Sequence, residues 1–279
     1  MKVCFTIPYL TSQCSRTKIF EKLLQSIISS INCTVKKINI DIIVYFNGQK
    51  NSQLNNEIDR IIRNLPNNKK TRFEILYSEA PNKTLCINNV LKRKDQYHGI
   101  IFCDNDIIIP INFFDSVFRI YYETKKNQQI ACFSKHAANF NLNAFTKKTG
   151  FVFHPSVKRI LIKENLFPEF RPTGSIYLIK HTCDITFPIS CNEAEIFKSR
   201  NDSFDTGIYV ISFLPDTYQE ELTRRVRQLS ANMNSSMETR FKNENLLIFE
   251  GGYLNKVSQK IQESLLLHHS ILKEAIKLI

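Results

Sequence analysis

Apolar residues along the first part of the chain follow two alternating patterns. Continuous apolar runs, which are typical of strands buried on both faces, cover residues 2–10, 38–46, 72–77 and 99–102. Between these runs apolar residues recur at helical spacing, over residues 16–31, 54–65 and 84–91. Strands that alternate with helices in this way predict an α/β fold with a doubly wound, mostly parallel sheet.

The second half of the chain has a less regular pattern. It predicts a helix over residues 113–124, strands over 130–134 and 176–179, and an amphipathic helix over 257–279. Residues 135–158 are polar without a clear period, which predicts an irregular segment, either a mobile loop over a site or a surface insertion. Residues 219–242 are basic, and residues 230–237 within them predict a loop.

Polar residues follow the predicted strands at their carboxyl ends. Asp104 and Asp106 end the fourth apolar run, and Asn47 ends the second. In doubly wound sheets the ligand lies outside the carboxyl ends of the strands, near the switch in strand order. Two carboxylates at positions i and i+2 lie on the same side of the chain and can share a divalent cation with ligand phosphates. The structural alternative is an aspartate-containing turn.

Composition narrows the class of protein. The chain has 279 residues, of which 43% are hydrophobic, and this is enough for a sizeable core. Its net charge of +12 indicates anionic partners, namely a nucleotide, a nucleic acid or an acidic membrane, or else a lysine-rich surface that is simply solvated. The eight cysteines have no Cys-x-x-Cys spacing, so we expect reduced, buried thiols and neither disulfides nor a zinc site.

Neither a transmembrane segment nor a signal peptide is apparent in the sequence. No stretch reaches the ~20 consecutive apolar residues that a spanning helix needs. The apolar run at 3–10 is too short for the core of a signal peptide and contains Pro8. We therefore expect a cytoplasmic protein, with peripheral contact at the inner face of a membrane left open for the C-terminal helix.

Four short motifs occur in a fixed order along the first part of the chain. They are Ile7-Pro8-Tyr9, Asn47-Gly48, the segment 82–91 and Asp104-Asn105-Asp106. In this order they resemble the motifs of family-two glycosyltransferases, which have the GT-A fold and use nucleotide-sugars. The second motif lacks the usual preceding Asp, and the segment 82–91 keeps Lys83 and Asn88 but replaces both glycines of the family pattern. The resemblance covers about the first 120 residues well and the remainder loosely.

The resemblance implies a donor site at the strand ends. The donor would be a nucleoside diphosphate-sugar, with a UDP-sugar as the expected form, bound together with Mn²⁺ or Mg²⁺. Asp106 would ligate the metal, and Asp104 would hold the ribose or sugar and contact the metal. The remaining donor-binding residues implied by the resemblance are Pro8, Tyr9 and Asn47 along the nucleoside, Lys83 near the base or phosphate, and Asn88 beside them.

An inverting transfer also needs a general base that removes the proton from the acceptor hydroxyl. The family carries this base in a Glu-Asp-x-x-Leu motif, and residues 192–196 resemble it with Glu193 at the base position. Glu195 is the alternative base, and a solvated helix start is the structural alternative. The segment Gly174-Ser175 resembles the acceptor side of the family site. Arg224, Arg225 and Arg227 form either a diphosphate contact or a surface charge run.

The expected organisation follows from the same resemblance. A GT-A-like catalytic domain would span residues 1–215, with a nucleotide-sugar-binding half at 1–120 and an acceptor half at 121–215. Residues 216–279 would form a basic segment and a C-terminal helix packed on that domain. The acceptor would be a glycan, a lipid-linked glycan or a protein, and we expect no nucleic acid partner.

Three other functions remain open at the level of sequence. Residues 171–178 resemble a segment of sugar-acid cytidylyltransferases, which are nucleotidyltransferases. Those enzymes need a glycine-containing loop for the triphosphate, and residues 7–18 contain no glycine. A basic nucleic-acid-binding protein would account for the charge, although no recognised module is present. A catalytically inactive scaffold would account for the replaced glycines.

Overall fold

The computed structural model describes residues 1–11, 16–141, 143–163, 174–188, 193–232 and 258–279. They form two compact units. The first comprises Met1–Lys135 and Arg171–Ile211, and the second comprises His136–Phe170 and Ser212–Ile279. The chain therefore leaves the first unit, contributes to the second, and returns, so that residues 136–163 group with the C-terminal part of the chain and not with the predicted acceptor half.

Strands and helices alternate through the first part of the chain. In chain order the elements are β1 (Lys2–Leu10), α1 (Thr17–Cys33), β2 (Asn39–Asn47), α2 (Ser52–Asn64), β3 (Thr71–Ser78), α3 (Lys83–Leu91), β4 (Gly99–Cys103), β5 (Ile107–Ile108), α4 (Phe113–Glu123), β6 (Ile130–Ala138), α5 (Ala144–Val152), α6 (Pro155–Lys163), β7 (Ile176–Lys180), α7 (Glu193–Ser199), β8 (Ser203–Phe213), α8 (Tyr218–Asn232) and α9 (Gln259–Lys277).

The strands form one mixed sheet in the order β3-β2-β1-β4-β7-β6-β8-β5. β1 is parallel to both of its neighbours, β2 and β4, and β3 is parallel to β2. β7 runs antiparallel to β4 and to β6, so its first residue, Ile176, pairs with Cys103 at the end of β4. The ends of β1, β2 and β4 and the start of β7 therefore meet at one edge of the sheet, which is the edge predicted for the site.

The central strands β1, β2, β4 and β7 are buried on both faces, as continuous apolar runs predict. On one face Phe5 packs edge-on against Phe113 and Phe114 of α4, in a core that also includes α1 and α2. On the other face Tyr45 and Phe102 lie in a second core with residues of α3. Packing on both faces holds the strand ends in place, because a buried strand cannot slip by one residue without exposing its apolar side chains.

Residues 135–158 are not irregular, contrary to the sequence interpretation. β6 continues to Ala138, and most of the remaining residues form α5 and the first part of α6. α5 begins after Asn143, whose side chain accepts a hydrogen bond from the Thr146 backbone N–H at 2.7 Å. Its buried face consists largely of Thr146, Thr149 and Val152, so hydrophobic periodicity alone does not reveal the helix.

In the second unit the C-terminal helix α9 packs along its apolar face. Ile261 and Leu265 join a cluster with residues of α5 and α6, and Ile271 and Ala275 join another cluster with α8. Among the described residues no helix has both the length and the apolar character needed to cross a membrane. α9 is thus a structural helix of its own unit, with its buried face occupied.

Candidate active site at the strand ends

Lys83 occupies the centre of the candidate site. It is the first residue of α3, which begins there because the Asn82 side chain accepts a hydrogen bond from the Leu85 N–H at 3.1 Å. Its Nζ lies 2.8 Å from Asp104 Oδ1 and 3.2 Å from Glu193 Oε1. The same Nζ donates to the Gly174 carbonyl oxygen at 2.9 Å. These three acceptors match the three N–H donors of an ammonium group.

The charge of Lys83 is stabilised by its two carboxylate partners. Burial by itself lowers the pKa of the Lys83 ammonium, but Asp104 and Glu193 outweigh that effect and raise the pKa above the ordinary value for lysine. The Lys83 ammonium group therefore links the predicted donor carboxylate to the predicted general base. The sequence places these groups in separate motifs, and the structure brings them together.

Asp106 has a different basic partner. Its Oδ2 lies 3.3 Å from Nη1 of Arg16, and both side chains are mostly buried. Arg16 directly precedes α1 and makes no side-chain capping bond there. Sequence analysis missed this residue because it belongs to none of the recognised motifs. A signal was available, since a cation at a helix N-terminus opposes the helix dipole and such a local cost often marks a functional position.

Glu193 is the predicted base that the structure places at the site. It begins α7 and is 8% exposed. A Cβ atom added at Gly174 would lie 3.0 Å from Glu193 Oε2, so the backbone of the 174–175 segment passes directly against the carboxylate. Glu195 lies on the same short helix, but its side chain is outside the described part of the structure, as is residue Asn192.

The segment Gly174-Ser175 is fixed beside the Asp104 backbone. The Asp104 N–H donates to the Ser175 carbonyl oxygen at 2.7 Å, and Lys135 Nζ donates to Ser175 Oγ at 3.0 Å. The predicted acceptor-side segment therefore borders the carboxylate pair. Arg171, Pro172 and Thr173, which carry most of the resemblance to cytidylyltransferases, lie outside the described residues.

Tyr9 and Pro8, which were predicted to lie along the nucleoside, are part of the core. Tyr9 is fully buried and packs edge-on against Phe20 and Phe46, with ring centroids 5.2 Å and 5.8 Å away. Its ring thus has no exposed surface to offer a ligand. An aromatic ring that is exposed near this edge is that of Tyr77 at the end of β3, which is 48% exposed and stacks on Phe46.

Asn47 and Asn88 are both engaged in contacts that organise the edge of the sheet. Asn47 is nearly fully buried, and its Oδ1 accepts a hydrogen bond from the Cys86 thiol at 2.8 Å. Asn88 donates from Nδ2 to the Phe187 carbonyl oxygen at 2.7 Å and accepts from the Phe187 N–H at 3.0 Å. Both amides therefore hold neighbouring segments in place, and Asn88 supports the chain that leads towards α7.

The basic residues of α8 belong to the second unit. Arg224 and Arg225 both pair with the buried Glu221, at 2.7 Å in each case, and Arg227 is exposed. Burial raises the pKa of the Glu221 carboxyl, but the two guanidinium groups outweigh burial and lower it below the ordinary value. Two of the three predicted arginines are thus engaged in a structural ion pair within α8.

The carboxylate pair fits a divalent cation that also has ligand oxygens. Asp104 and Asp106 supply oxygen atoms of the kind that Mn²⁺ and Mg²⁺ prefer, and both side chains are partly exposed. Within the described ranges, no group of three or more His, Cys, Asp or Glu side chains forms a metal cluster. The remaining ligands would be diphosphate oxygens and water, which is the usual arrangement for a cation bound with a nucleotide.

Comparison with known proteins identifies the fold. No family model matches the sequence, and no curated protein matches it. Among solved structures, a mannosyltransferase from Pyrobaculum calidifontis in complex with GDP-Man and Mn²⁺ matches with a TM-score of 0.55 at 10% identity, over 99% of this chain and 73% of that chain.

Two further matches have lower TM-scores. Glucosyl-3-phosphoglycerate synthase from Mycobacterium tuberculosis matches at 0.47 and 12% identity, over 82% of this chain and 79% of its own. TarS from S. aureus matches at 0.45 and 14% identity, over 100% and 83%. The strand order, the parallel half of the sheet that ends at Asp104, and the similarity to the mannosyltransferase confirm the prediction that this chain has the GT-A fold of nucleotide-sugar glycosyltransferases.

Proposed function

We propose that the chain is a metal-dependent, inverting glycosyltransferase that moves a sugar from a nucleoside diphosphate-sugar to a hydroxyl acceptor. The observation that carries this proposal is the contact of Lys83 with Asp104 and Glu193 at the strand ends of a GT-A fold. This contact supports the proposal because one cluster would then hold a carboxylate suited to a metal, a cation, and a carboxylate suited to general-base catalysis.

The donor half of the cluster would stabilise the leaving group. Asp104 and Asp106 would hold Mn²⁺ or Mg²⁺, which when bound neutralises charge on the diphosphate as a Lewis acid. Lys83 stays protonated because its pKa is raised, so its ammonium group is available to offset the charge that develops as the sugar departs. A fixed cation needs no reorganisation at that moment, and this is the main advantage of a preorganised site.

The acceptor half would supply the base. The acceptor oxygen attacks the anomeric carbon while the bond from that carbon to the diphosphate oxygen breaks, and the electron pair leaves with the diphosphate. The acceptor proton passes to the carboxylate of Glu193. The fixed position of Glu193 against Gly174 suits this role, because a general base must be held within hydrogen-bond reach of the proton it removes.

The proposed reaction needs a donor nucleotide and an acceptor of defined chemistry. The mannosyltransferase of similar fold was solved with GDP-Man, whereas the sequence resemblance favours a UDP-sugar, so both nucleotides belong in any test. The net charge of +12 suits a negatively charged glycan or lipid-linked glycan as the acceptor.

The activity is tested by release of nucleoside diphosphate from a panel of UDP-sugars and GDP-sugars, with Mn²⁺, with Mg²⁺ and with EDTA. We expect release with at least one donor and metal, and its loss in Asp106→Ala. Asp95→Ala is the matched control, because Asp95 is an exposed acid that precedes the opposite end of β4. Pyrophosphate release from CTP without release from any nucleotide-sugar would instead identify a nucleotidyltransferase.

The base is tested separately. Glu193→Gln should bind donor with unchanged affinity and lose transfer by at least about a hundredfold, because it keeps the shape of the side chain but cannot accept the proton. Glu123→Gln, at the exposed end of α4, is the control. Full activity in Glu193→Gln would move the role to another residue, with Glu195 as the next variant to make.

A further inference from the structure

Each carboxylate of the Asp104-Asn105-Asp106 motif has its own basic partner. Asp104 is paired with Lys83, which the sequence motifs already place in the donor site. Asp106 is paired with Arg16, to which no motif assigns a role. Arg16 is therefore a basic group at this edge of the sheet whose function remains to be explained.

The position of Arg16 is not explained by an ordinary surface ion pair. Both side chains of the pair are mostly buried, 17% exposed for Arg16 and 20% for Asp106, so the contact is formed at a cost in desolvation. Arg16 also directly precedes α1, and a cation near a helix N-terminus is disfavoured by the helix dipole. Asp106 is the anion that offsets these costs in the ligand-free protein.

Arg16 and a divalent cation compete for the same oxygen atoms. A cation that binds Asp106 must displace the Arg16 guanidinium or share the carboxylate with it, and two positive charges beside one carboxylate repel each other. A guanidinium displaced from a carboxylate needs another anionic acceptor, and its planar set of donors matches phosphate oxygens as well as it matches a carboxylate.

We propose that Arg16 is a donor-binding residue that exchanges Asp106 for the diphosphate when metal and nucleotide bind. The inference rests on the proposed glycosyltransferase function and adds a residue to its donor site. In the ligand-free protein Arg16 neutralises Asp106. With metal and nucleotide bound, Asp106 would hold the cation and Arg16 would contact the phosphate oxygens. The nucleoside diphosphate gains a negative charge when its bond to the sugar breaks, and Arg16 offsets that charge.

Two binding measurements on Arg16→Gln test the exchange. The first is Mn²⁺ binding without nucleotide, followed by electron paramagnetic resonance of the free ion. The second is binding of UDP and of GDP in saturating Mn²⁺, followed by calorimetry. We expect Arg16→Gln to bind Mn²⁺ alone several-fold more tightly, because Asp106 has lost its competing partner. We expect it to bind the nucleoside diphosphate about tenfold more weakly, because a charge-assisted hydrogen bond is lost.

The opposite signs of these effects distinguish the proposal from a structural role. If Arg16 only supported the fold, its replacement would weaken both ligands or neither, and either result would overturn the inference. Arg63→Gln, an exposed arginine near the end of α2, is the matched control and should bind both ligands as the wild type does. Arg16→Lys keeps the charge without the planar donors, and should retain most of the nucleotide affinity that Arg16→Gln loses.

The same data separate this inference from the proposed function. If the wild-type protein binds neither UDP nor GDP in the presence of Mn²⁺, the proposed function fails and the role of Arg16 fails with it. If the wild type binds one of them and Arg16→Gln is indistinguishable from it in both measurements, only the role of Arg16 is wrong.

Discussion

At the scale of a single residue, Lys83 links three groups of the candidate site. One ammonium group satisfies Asp104, Glu193 and the Gly174 carbonyl oxygen at once. Without it, two carboxylates would lie close together at a partly buried position, where like charges repel. The same cation that assembles the cluster is therefore the one proposed to stabilise the leaving diphosphate.

Replacing Lys83 tests this double role. Lys83→Met keeps the length of the side chain but removes the charge, so we expect nucleoside diphosphate affinity in Mn²⁺ to fall by about tenfold or more and the melting temperature to drop. Lys92→Met, at the exposed C-terminal end of the same helix, should change neither measurement appreciably. Unchanged nucleotide affinity in a folded Lys83→Met variant would remove Lys83 from the donor site.

Asn88 has a positioning role that differs from the donor contact expected from sequence. Its amide makes two hydrogen bonds to the backbone of Phe187, so Asn88→Ala should lower the free energy of unfolding by about 2 kcal/mol through the unpaired backbone groups. Asn89→Ala is the control and should cost less, because it loses a bond to the Tyr45 hydroxyl and an exposed bond from Lys92 Nζ but leaves no backbone group unpaired. Denaturant unfolding measures both. Equal costs in the two variants would contradict the positioning role.

The residues of the site differ in how far sequence could identify them. Asp104, Lys83 and Glu193 lie in motifs, so each was recognised, but no local pattern indicates that Lys83 contacts both acids. That contact depends on the antiparallel pairing of β7 with β4, which brings Gly174 beside Asp104. Arg16 was missed for the same reason, because its partner lies 90 positions away in sequence.

At the scale of elements, burial on both faces decided which predictions succeeded. The bounds of β1, β2 and β4 agree with the sequence patterns within about one residue, since parallel strands covered by helices read as continuous apolar runs. β8 has alternating exposure and no such run, and sequence analysis did not identify it. The sequence pattern does not predict helix α8, because most of its residues are charged or polar, although Leu222 and Leu229 are buried along it.

The ion pair within α8 makes the stability of the second unit dependent on pH. The pKa of Glu221 is lowered, so its stabilising contribution is fully present above the ordinary value of 4.5 and is lost as the pH falls through the folded-state value. Glu221→Gln should therefore be less stable than wild type by about 3 kcal/mol at neutral pH, because two arginines lose their buried partner. In thermal unfolding, the difference in stability between the wild type and Glu221→Gln should become smaller below about pH 4.

The exposed Glu263 of α9 provides the control for this experiment. Glu263→Gln should track the wild type across the whole pH range, because its contact with Lys148 is long, at 4.0 Å, and half exposed. If the difference in stability between the wild type and Glu221→Gln stayed the same as the pH was lowered, the ion-pair explanation would be contradicted.

The C-terminal helix α9 can be tested as a structural element. Ile271 is fully buried between α9 and α8, so Ile271→Ala should lower the free energy of unfolding by about 2–4 kcal/mol through lost packing. Leu266, on the same helix, is 50% exposed, and Leu266→Ala should cost well below that range. If Ile271→Ala were harmless and Leu266→Ala abolished binding to anionic vesicles, the helix would instead serve as a membrane contact.

The whole molecule consists of a first unit that carries every described residue of the candidate site and a second, helical unit. The predicted boundary near residue 215 lies close to the point where the chain leaves the first unit for the last time, at Ile211. The sequence does not predict that residues 136–163 belong to the second unit, because only contacts with residues distant in sequence assign them to it. The donor half, residues 1–120, is nearly continuous along the chain, and its strands and helices are therefore easier to predict from sequence.

At the scale of the whole molecule, we expect the metal and the nucleotide to bind cooperatively. Asp104 and Asp106 alone would leave a divalent cation short of ligands, and a diphosphate alone would have to compete with the same two carboxylates for Lys83 and Arg16. Each ligand thus completes the site for the other, and by linkage each must raise the affinity of the other by the same factor.

We therefore expect thermal shifts that exceed additivity. UDP or GDP together with Mn²⁺ should raise the melting temperature by more than the sum of the two separate shifts, since stabilisation grows as RT ln(1 + [L]/Kd) and each ligand lowers the Kd of the other. EDTA and Asp106→Ala should each remove the excess, whereas Asp95→Ala should keep it. A nucleotide shift that is the same with and without metal would mean that Lys83, Arg16 and other basic groups bind the diphosphate without the cation, and the metal-dependent mechanism would then be wrong.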